Sequence, residues 1–163
     1  MTTEILKKNI IEELQRLEED CLYTSKNHFN NAMFDSSLHY MFGILLIVCA
    51  AISTQYSIIY IAIFSTIIAS LQTFISPDKK AEKHQLHGNR FLSLKKLIRQ
   101  YRTISINYEK EENILQQINT FTDKIAEYNN SAPEINPIAY IMTKAGIKSG
   151  EHIYDVDNQE RNK

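Results

Sequence analysis

The chain has 163 residues, with 18 Lys or Arg against 19 Asp or Glu and a formal net charge of −1. That length sets an expectation of one domain, the near-neutral charge gives no reason to expect a nucleic-acid partner, and two cysteines, Cys21 and Cys49, are too few for a disulfide framework. The averages conceal a very apolar middle set between two charged flanks.

Residues 1–36 read as an amphipathic helix. Ile10, Leu14, Leu17, Cys21 or Leu22, Phe29 and Met33 recur mostly at three- and four-residue intervals, with Glu12, Glu13, Glu18, Glu19 and Asp20 largely between them. Thr3 is a candidate cap. Pro and Gly are absent until Gly43, so this helix is expected to run into the next segment with little interruption. The first 30 residues carry six acids and no apolar core near the start, so no secretory signal is evident.

From Ser36 to Pro77 there is no Asp, Glu, Lys or Arg. Two apolar segments, Leu38–Thr54 and Ser57–Ser76, are each about 25–30 Å long at roughly 1.5 Å per helical residue, close to the hydrocarbon thickness of a bilayer. Gln55, Tyr56 and Ser57 leave room only for a tight turn. The expectation is a transmembrane helical hairpin over 37–76. Each Leu, Ile, Phe or Val near a bilayer centre favours insertion by about 0.3–0.6 kcal/mol, and both segments are rich in them. Cys49 falls mid-span, where a thiol behaves as a small hydrophobe. A soluble bundle with two buried central helices is the alternative, but little chain remains outside to wrap them.

Between Asp78 and Arg102 stand eight Lys or Arg against two acids, and Lys7, Lys8, Arg16 and Lys26 precede the hairpin. The turn has no charge. The positive-inside rule then puts both termini in the cytoplasm and the turn outside. Ser76-Pro77-Asp78 is a helix-start signal, with Ser as cap, Pro in the first turn and an acid beside it. Pro77 also disfavours α geometry at Ser76, so a hinge is expected at Ser76 and Pro77. The cytoplasmic region 77–146 should hold a helix at about 78–102, striped by Phe91, Leu94, Leu97, Ile98 and Tyr101. A second, at about 107–129, is striped by Ile114, Leu115, Ile118, Phe121, Ile125 and Tyr128. Asn136-Pro137 opens a short third helix that Gly146 closes. Residues 147–163 form a polar tail. The fold class is all-α.

No catalytic constellation is present, the four glycines are scattered, and neither an enzyme nor a cofactor is expected. His84 and His87 stand at i, i+3, a spacing compatible with metal, with Glu82 or His28 as the nearest further ligand. Two surface histidines on a basic helix explain the pair more simply, and no metal is expected. The cluster Lys79, Lys80, Lys83, Arg90, Lys95 and Lys96 is a topology determinant. It also suits anionic lipid headgroups, at roughly 1 kcal/mol per cation, or less readily an anionic regulator such as a nucleotide. In the second span Ala62, Thr66, Ala69, Ser70 and Thr73 share a face. Small residues there allow tight packing in the hairpin or an oligomer; the functional alternative is that the face lines a water-filled path between several copies. No charge lies in the spans to make such a path ion-selective.

Several stretches resemble the SLATT family, two-span effector domains found with nucleotide-sensing modules in bacterial conflict systems. They are Ser37-Leu38-His39 at the entry to the first span, Phe74-Ile75-Ser76-Pro77 at the end of the second, Ala81-Glu82-Lys83-His84, and Arg90-Phe91-Leu92-Ser93-Leu94. Ser131-Ala132-Pro133-Glu134-Ile135 before Tyr140 is similar to a C-terminal extension of one branch. The resemblance implies an oligomeric effector that permeabilises the inner membrane on a nucleotide or partner signal, halting infected cells. The sequence departs from the family's multidomain arrangement in carrying no fused sensor, so the trigger is expected from a separate sensor or signal-producing protein or from the chain's own cytoplasmic helices. The rival expectations are a two-span scaffold that recruits a cytoplasmic partner and a soluble helical adaptor.

Overall fold

The computed structural model describes residues 2–56 and 59–149, and every regular element among them is a helix. The elements are α1 (Thr2–Tyr56), α2 (Ile59–Ile75), α3 (Pro77–Thr103), a 3₁₀ turn (Ser105–Asn107), α4 (Glu111–Ser131) and α5 (Pro137–Lys148). The protein is all-α. Three expectations fall outside the described residues: the capping side chain of Thr3, the turn at Ser57 and the tail from 150 onward.

The amphipathic helix and the first apolar segment are one element. α1 runs unbroken for 55 residues, about 80 Å at roughly 1.5 Å per residue. Its C-terminal part pairs with α2. There Phe42, Leu46, Cys49 and Ser53 on α1 are among the less exposed positions, and Ile61, Ser65, Ile68, Gln72 and Ile75 on α2 repeat at helical spacing on the side less open to solvent. Cys49 and Ile68 are buried in this seam. Both helices are long and apolar enough to cross a membrane, and only 6% of each apolar window is buried. A soluble bundle would hide such residues; here Ile44, Ile47, Ile59, Ile63, Ile67 and Phe74 face outward.

The N-terminal half of α1 belongs to a separate helical stalk. α3 packs along it, and α4 closes the core. Ile10, Leu14, Leu17 and Cys21 of α1 meet Phe91, Leu94, Ile98 and Tyr101 of α3, with Ile106 of the turn and Ile114 and Phe121 of α4. Ile118, Ile125 and Tyr128 lean on this cluster. Met33, Leu97 and Leu115, read from sequence as stripe members, are exposed instead. α4 begins at Glu111, later than expected, because Ser105–Asn107 form the 3₁₀ turn.

Closeness of α1 and α3 depends on Gly88. A Cβ there would lie 2.7 Å from Cε1 of Phe29. Gly88→Val is therefore expected to lower stalk stability by about 1–3 kcal/mol through overpacking, read as a lower thermal midpoint by circular dichroism in detergent. An unchanged midpoint would mean that the two helices yield at no cost.

α5 rests on α1 through polar contacts. Asn31 Oδ1 accepts from the Asn136 backbone N–H at 3.0 Å, and Asn30 Nδ2 donates to Thr143 Oγ1 at 2.9 Å. As expected, Asn136 caps α5: its side chain accepts from Ile138 N–H at 2.9 Å, and Pro137 follows in the first turn. The helix continues past Gly146 to Lys148.

Candidate functional site

Ala62, Thr66, Ala69, Ser70 and Thr73 all lie on the exposed side of α2. They are not the residues that pack on α1, which removes tight hairpin packing as the reason for their small size. Their hydroxyls are satisfied within the helix. Thr66 donates to Ala62 O, Ser70 to Thr66 O and Thr73 to Ala69 O, at 2.8–2.9 Å. Each oxygen keeps its acceptor capacity. A shallow groove of about 460 Å³, lined by α2 alone, runs past Ile63, Thr66, Ile67, Ser70, Leu71 and Phe74. On the α1-facing side of α2, Gln72 Nε2 lies 3.4 Å from His39 Nδ1, a polar contact between the two apolar helices that the sequence does not reveal.

The junction between α2 and α3 is a sharp break, as Pro77 led us to expect. Ser76 adopts φ 46 and ψ 58, the left-handed region, and is the positive-φ non-glycine residue among those described. For an L-residue this conformation costs roughly 1–2 kcal/mol. Backbone pairing persists across it, with Ser76 N–H donating to Gln72 O at 2.9 Å and Lys80 N–H to Ser76 O at 3.2 Å. The expected side-chain cap is absent: Ser76 Oγ donates backward, to Thr73 O at 2.7 Å. Pro77 is buried. Beside this junction α1 and α3 leave a groove of about 520 Å³, lined in part by Phe29, Met33, His39, Tyr40, Asp78 and Glu82.

The basic cluster divides. Lys79, Lys80, Lys83, Arg90 and Lys96 are exposed, and the Arg90 guanidinium sits 5.8 Å from the centre of the Tyr128 ring. Lys95, expected on the lipid-facing surface with them, is buried at 6% exposure. It follows Leu94 on the side of α3 that carries the core, so its stem is covered by the stalk.

The histidines differ most from expectation. His84 and His87 are not on the surface. They are buried at 4% and 6% exposure, facing a third histidine, His28 of α1, at 1%. His28 Nδ1 and His84 Nδ1 are 2.9 Å apart, a hydrogen bond in which one ring must be protonated at Nδ1 and the other not. The His28 ring centre is 5.7 Å from that of His87 and stacks on Phe91 at 5.9 Å and 12°. His87 Nδ1 is buried without a hydrogen-bond partner. Burial first, then the neighbouring His84 and His87, hold His28 down to about 4. Burial also lowers His84, with Asp35 opposing, and burial and then Arg90 lower His87. Among the described residues no group of three His, Cys, Asp or Glu has the arrangement to hold a metal ion.

These elements define an all-α chain in which two exposed apolar helical segments adjoin a helical stalk, one continuous with it through α1 and the other joined to it through the strained break at Ser76. Comparison with protein-family models, with curated proteins and with solved structures finds no match.

Proposed function

We propose that this chain is a non-enzymatic, oligomeric effector of the bacterial inner membrane, with α2 and the apolar half of α1 as its two spans and both termini in the cytoplasm. The observation that carries the reading is the contrast between two outward-facing apolar helices, 6% buried over their apolar windows, and a stalk with a core of its own. The exposed cations after Pro77 support the cytoplasmic placement of the stalk. The resemblance to SLATT effectors supports a role in anti-phage defence, triggered by a separate sensor or nucleotide signal.

In this reading several copies assemble through the free face of α2. The groove along Thr66 and Ser70, bordered by Ile63, Ile67, Leu71 and Phe74, suits the ridge of a neighbouring helix. Triggering reorients the stalk about Ser76 and Pro77, and the small face then lines a poorly selective aqueous path. The exposed cations engage anionic headgroups. Replacing Thr66, Ser70 and Thr73 together with Leu is expected to abolish ion leakage on induced expression, read with a membrane-potential dye, while the chain still pellets with membranes. Undiminished leakage would remove this face from any conducting path.

One observation favours a passive two-span scaffold instead: each of these hydroxyls is already bonded to its own helix, so the face is stable against lipid. Induced expression separates the two. A triggered effector depolarises cells and stops growth; a scaffold does neither.

A further inference from the structure

A polar layer crosses the stalk between its apolar core and the membrane-proximal break. On α1 it comprises Ser25, His28 and Asn31, and on α3 His84 and His87, all of them buried. The apolar core of Leu14, Cys21, Leu94 and Ile98 lies on one side of it, and the Ser76 break lies eight residues before His84 on the other. Burying imidazoles here carries a desolvation cost that an apolar layer would avoid. Their arrangement gives them a use that packing alone does not require.

We propose that His28, His84 and His87 form a proton-operated latch that holds α1 against α3 while the rings are neutral and releases them when the rings take up protons. The bridge sets the stoichiometry. A first proton on the His28–His84 pair enters at the far nitrogen of the donor ring and leaves Nδ1–H···Nδ1 intact. A second must enter at the accepting Nδ1, and two N–H groups then face each other at 2.9 Å. Protonating His87 places a third cation against the His28 ring.

Few groups nearby can compensate. Asp35 on α1 is the carboxylate that acts on His84, while Lys80 and Arg90 on α3 oppose further positive charge. Lys26, also buried on α1, is another cation of this helix, its ammonium lowered by burial. α4 approaches the layer with Tyr128, edge-on to Phe91, and α5 with Asn136, whose backbone N–H donates to Asn31 Oδ1. Among the described residues, Asp35 is the one carboxylate that acts on the three imidazoles.

The sign follows from linkage. Each ring binds a proton less readily in the packed stalk than in an open one, so the open form gains as protons are added. The latch is closed above pH 6.5, the ordinary imidazole value, and weakens as pH falls toward about 4. Opening separates α1 from α3 next to Ser76 and Pro77, where a change in stalk geometry is passed to α2. This inference rests on the α1–α3 packing and not on the effector reading, and its readout involves no leakage.

The test uses the full chain in detergent with Cys21 and Cys49 replaced by Ala and spin labels at two exposed positions, Met33 on α1 and Leu86 on α3. Electron-resonance distances are measured from pH 7.5 to 4.5. The expected result is a narrow distribution at pH 7.5 that broadens and lengthens below pH 6.5, and a His28→Gln chain that keeps a hydrogen-bond partner for His84 and no longer responds. An unchanged distribution down to pH 4.5, or the same response in His28→Gln, overturns the proposal. Should His28→Gln not fold, ring-nitrogen NMR of the unlabelled chain decides. Titration of the three rings below pH 6.5, together with loss of the α1–α3 contact, upholds it; ordinary titration of all three rings overturns it.

Discussion

Phe91→Ala is expected to destabilise the stalk by about 3–5 kcal/mol, the range for deleting a fully buried aromatic ring. Phe91 has no exposed surface. Its ring stacks on His28 and meets Tyr128 edge-on at 5.7 Å and 89°, so it joins α1, α3 and α4 at one level. Three helices fixed by separate contacts cannot all close on the space left behind, which places the loss in the upper part of the range. Phe91→Leu keeps most of the volume and should cost about 1–2 kcal/mol. Leu97→Ala, on the exposed side of the same helix, is the control and should change stability by no more than about 0.5 kcal/mol. Thermal and denaturant midpoints of the detergent-solubilised chain measure all three. Because Phe91 lies outside the apolar hairpin, the pairing of α1 with α2 should be unaffected. Equal losses for Phe91→Ala and Leu97→Ala would show that the stalk has no specific core at this level.

What the sequence disclosed, and what it hid, turns on how burial was inferred. The helices, the break at Pro77 and the Asn136 cap were legible because they depend on local chemistry: ring geometry, capping oxygens and uninterrupted apolar runs. The stripe of α1 was followed correctly through Ile10, Leu14, Leu17 and Cys21 and then lost. The period continues to Ser25, His28 and Ala32, all buried, but apolarity drew the reading toward Phe29 and Met33. On α3 the same spacing carried backward from Phe91 reaches His87 and His84. Periodicity alone places all three histidines inside; equating polar with exposed puts His84 and His87 on the surface and leaves His28 as no more than a possible further ligand. Lys95 was misplaced in the same way, counted as a charge when its position beside Leu94 assigned it to the packed side. The small face of α2 was identified as a face, but one helix cannot reveal which of its sides meets α1. That took the burial of Cys49 and Ile68 and the contact of His39 with Gln72.

Glu18 and Arg102 supply the other large effect, at the end of the stalk away from the apolar hairpin. Arg102 Nη2 donates to Glu18 Oε2 at 3.0 Å, with the two side chains 26% and 12% exposed respectively. Arg102 Nε is buried with no hydrogen-bond partner, so Glu18 is its main compensation. Glu18→Leu leaves a mostly covered guanidinium without its carboxylate. A fully buried pair broken this way loses about 3–5 kcal/mol, and partial access to water brings the expected loss here to about 2–3 kcal/mol. Arg102→Met alone strands the carboxylate and should cost a similar amount. Replacing both should return stability to within about 1 kcal/mol of the parent, because neither charge then needs solvating and the new side chains extend the Leu17–Ile98 core. A double-mutant cycle on denaturant midpoints checks this, with a coupling energy of about 2 kcal/mol or more expected. Additive single losses would mean that the contact is a solvated surface pair, and that α1 and α3 are held at this end by apolar burial alone.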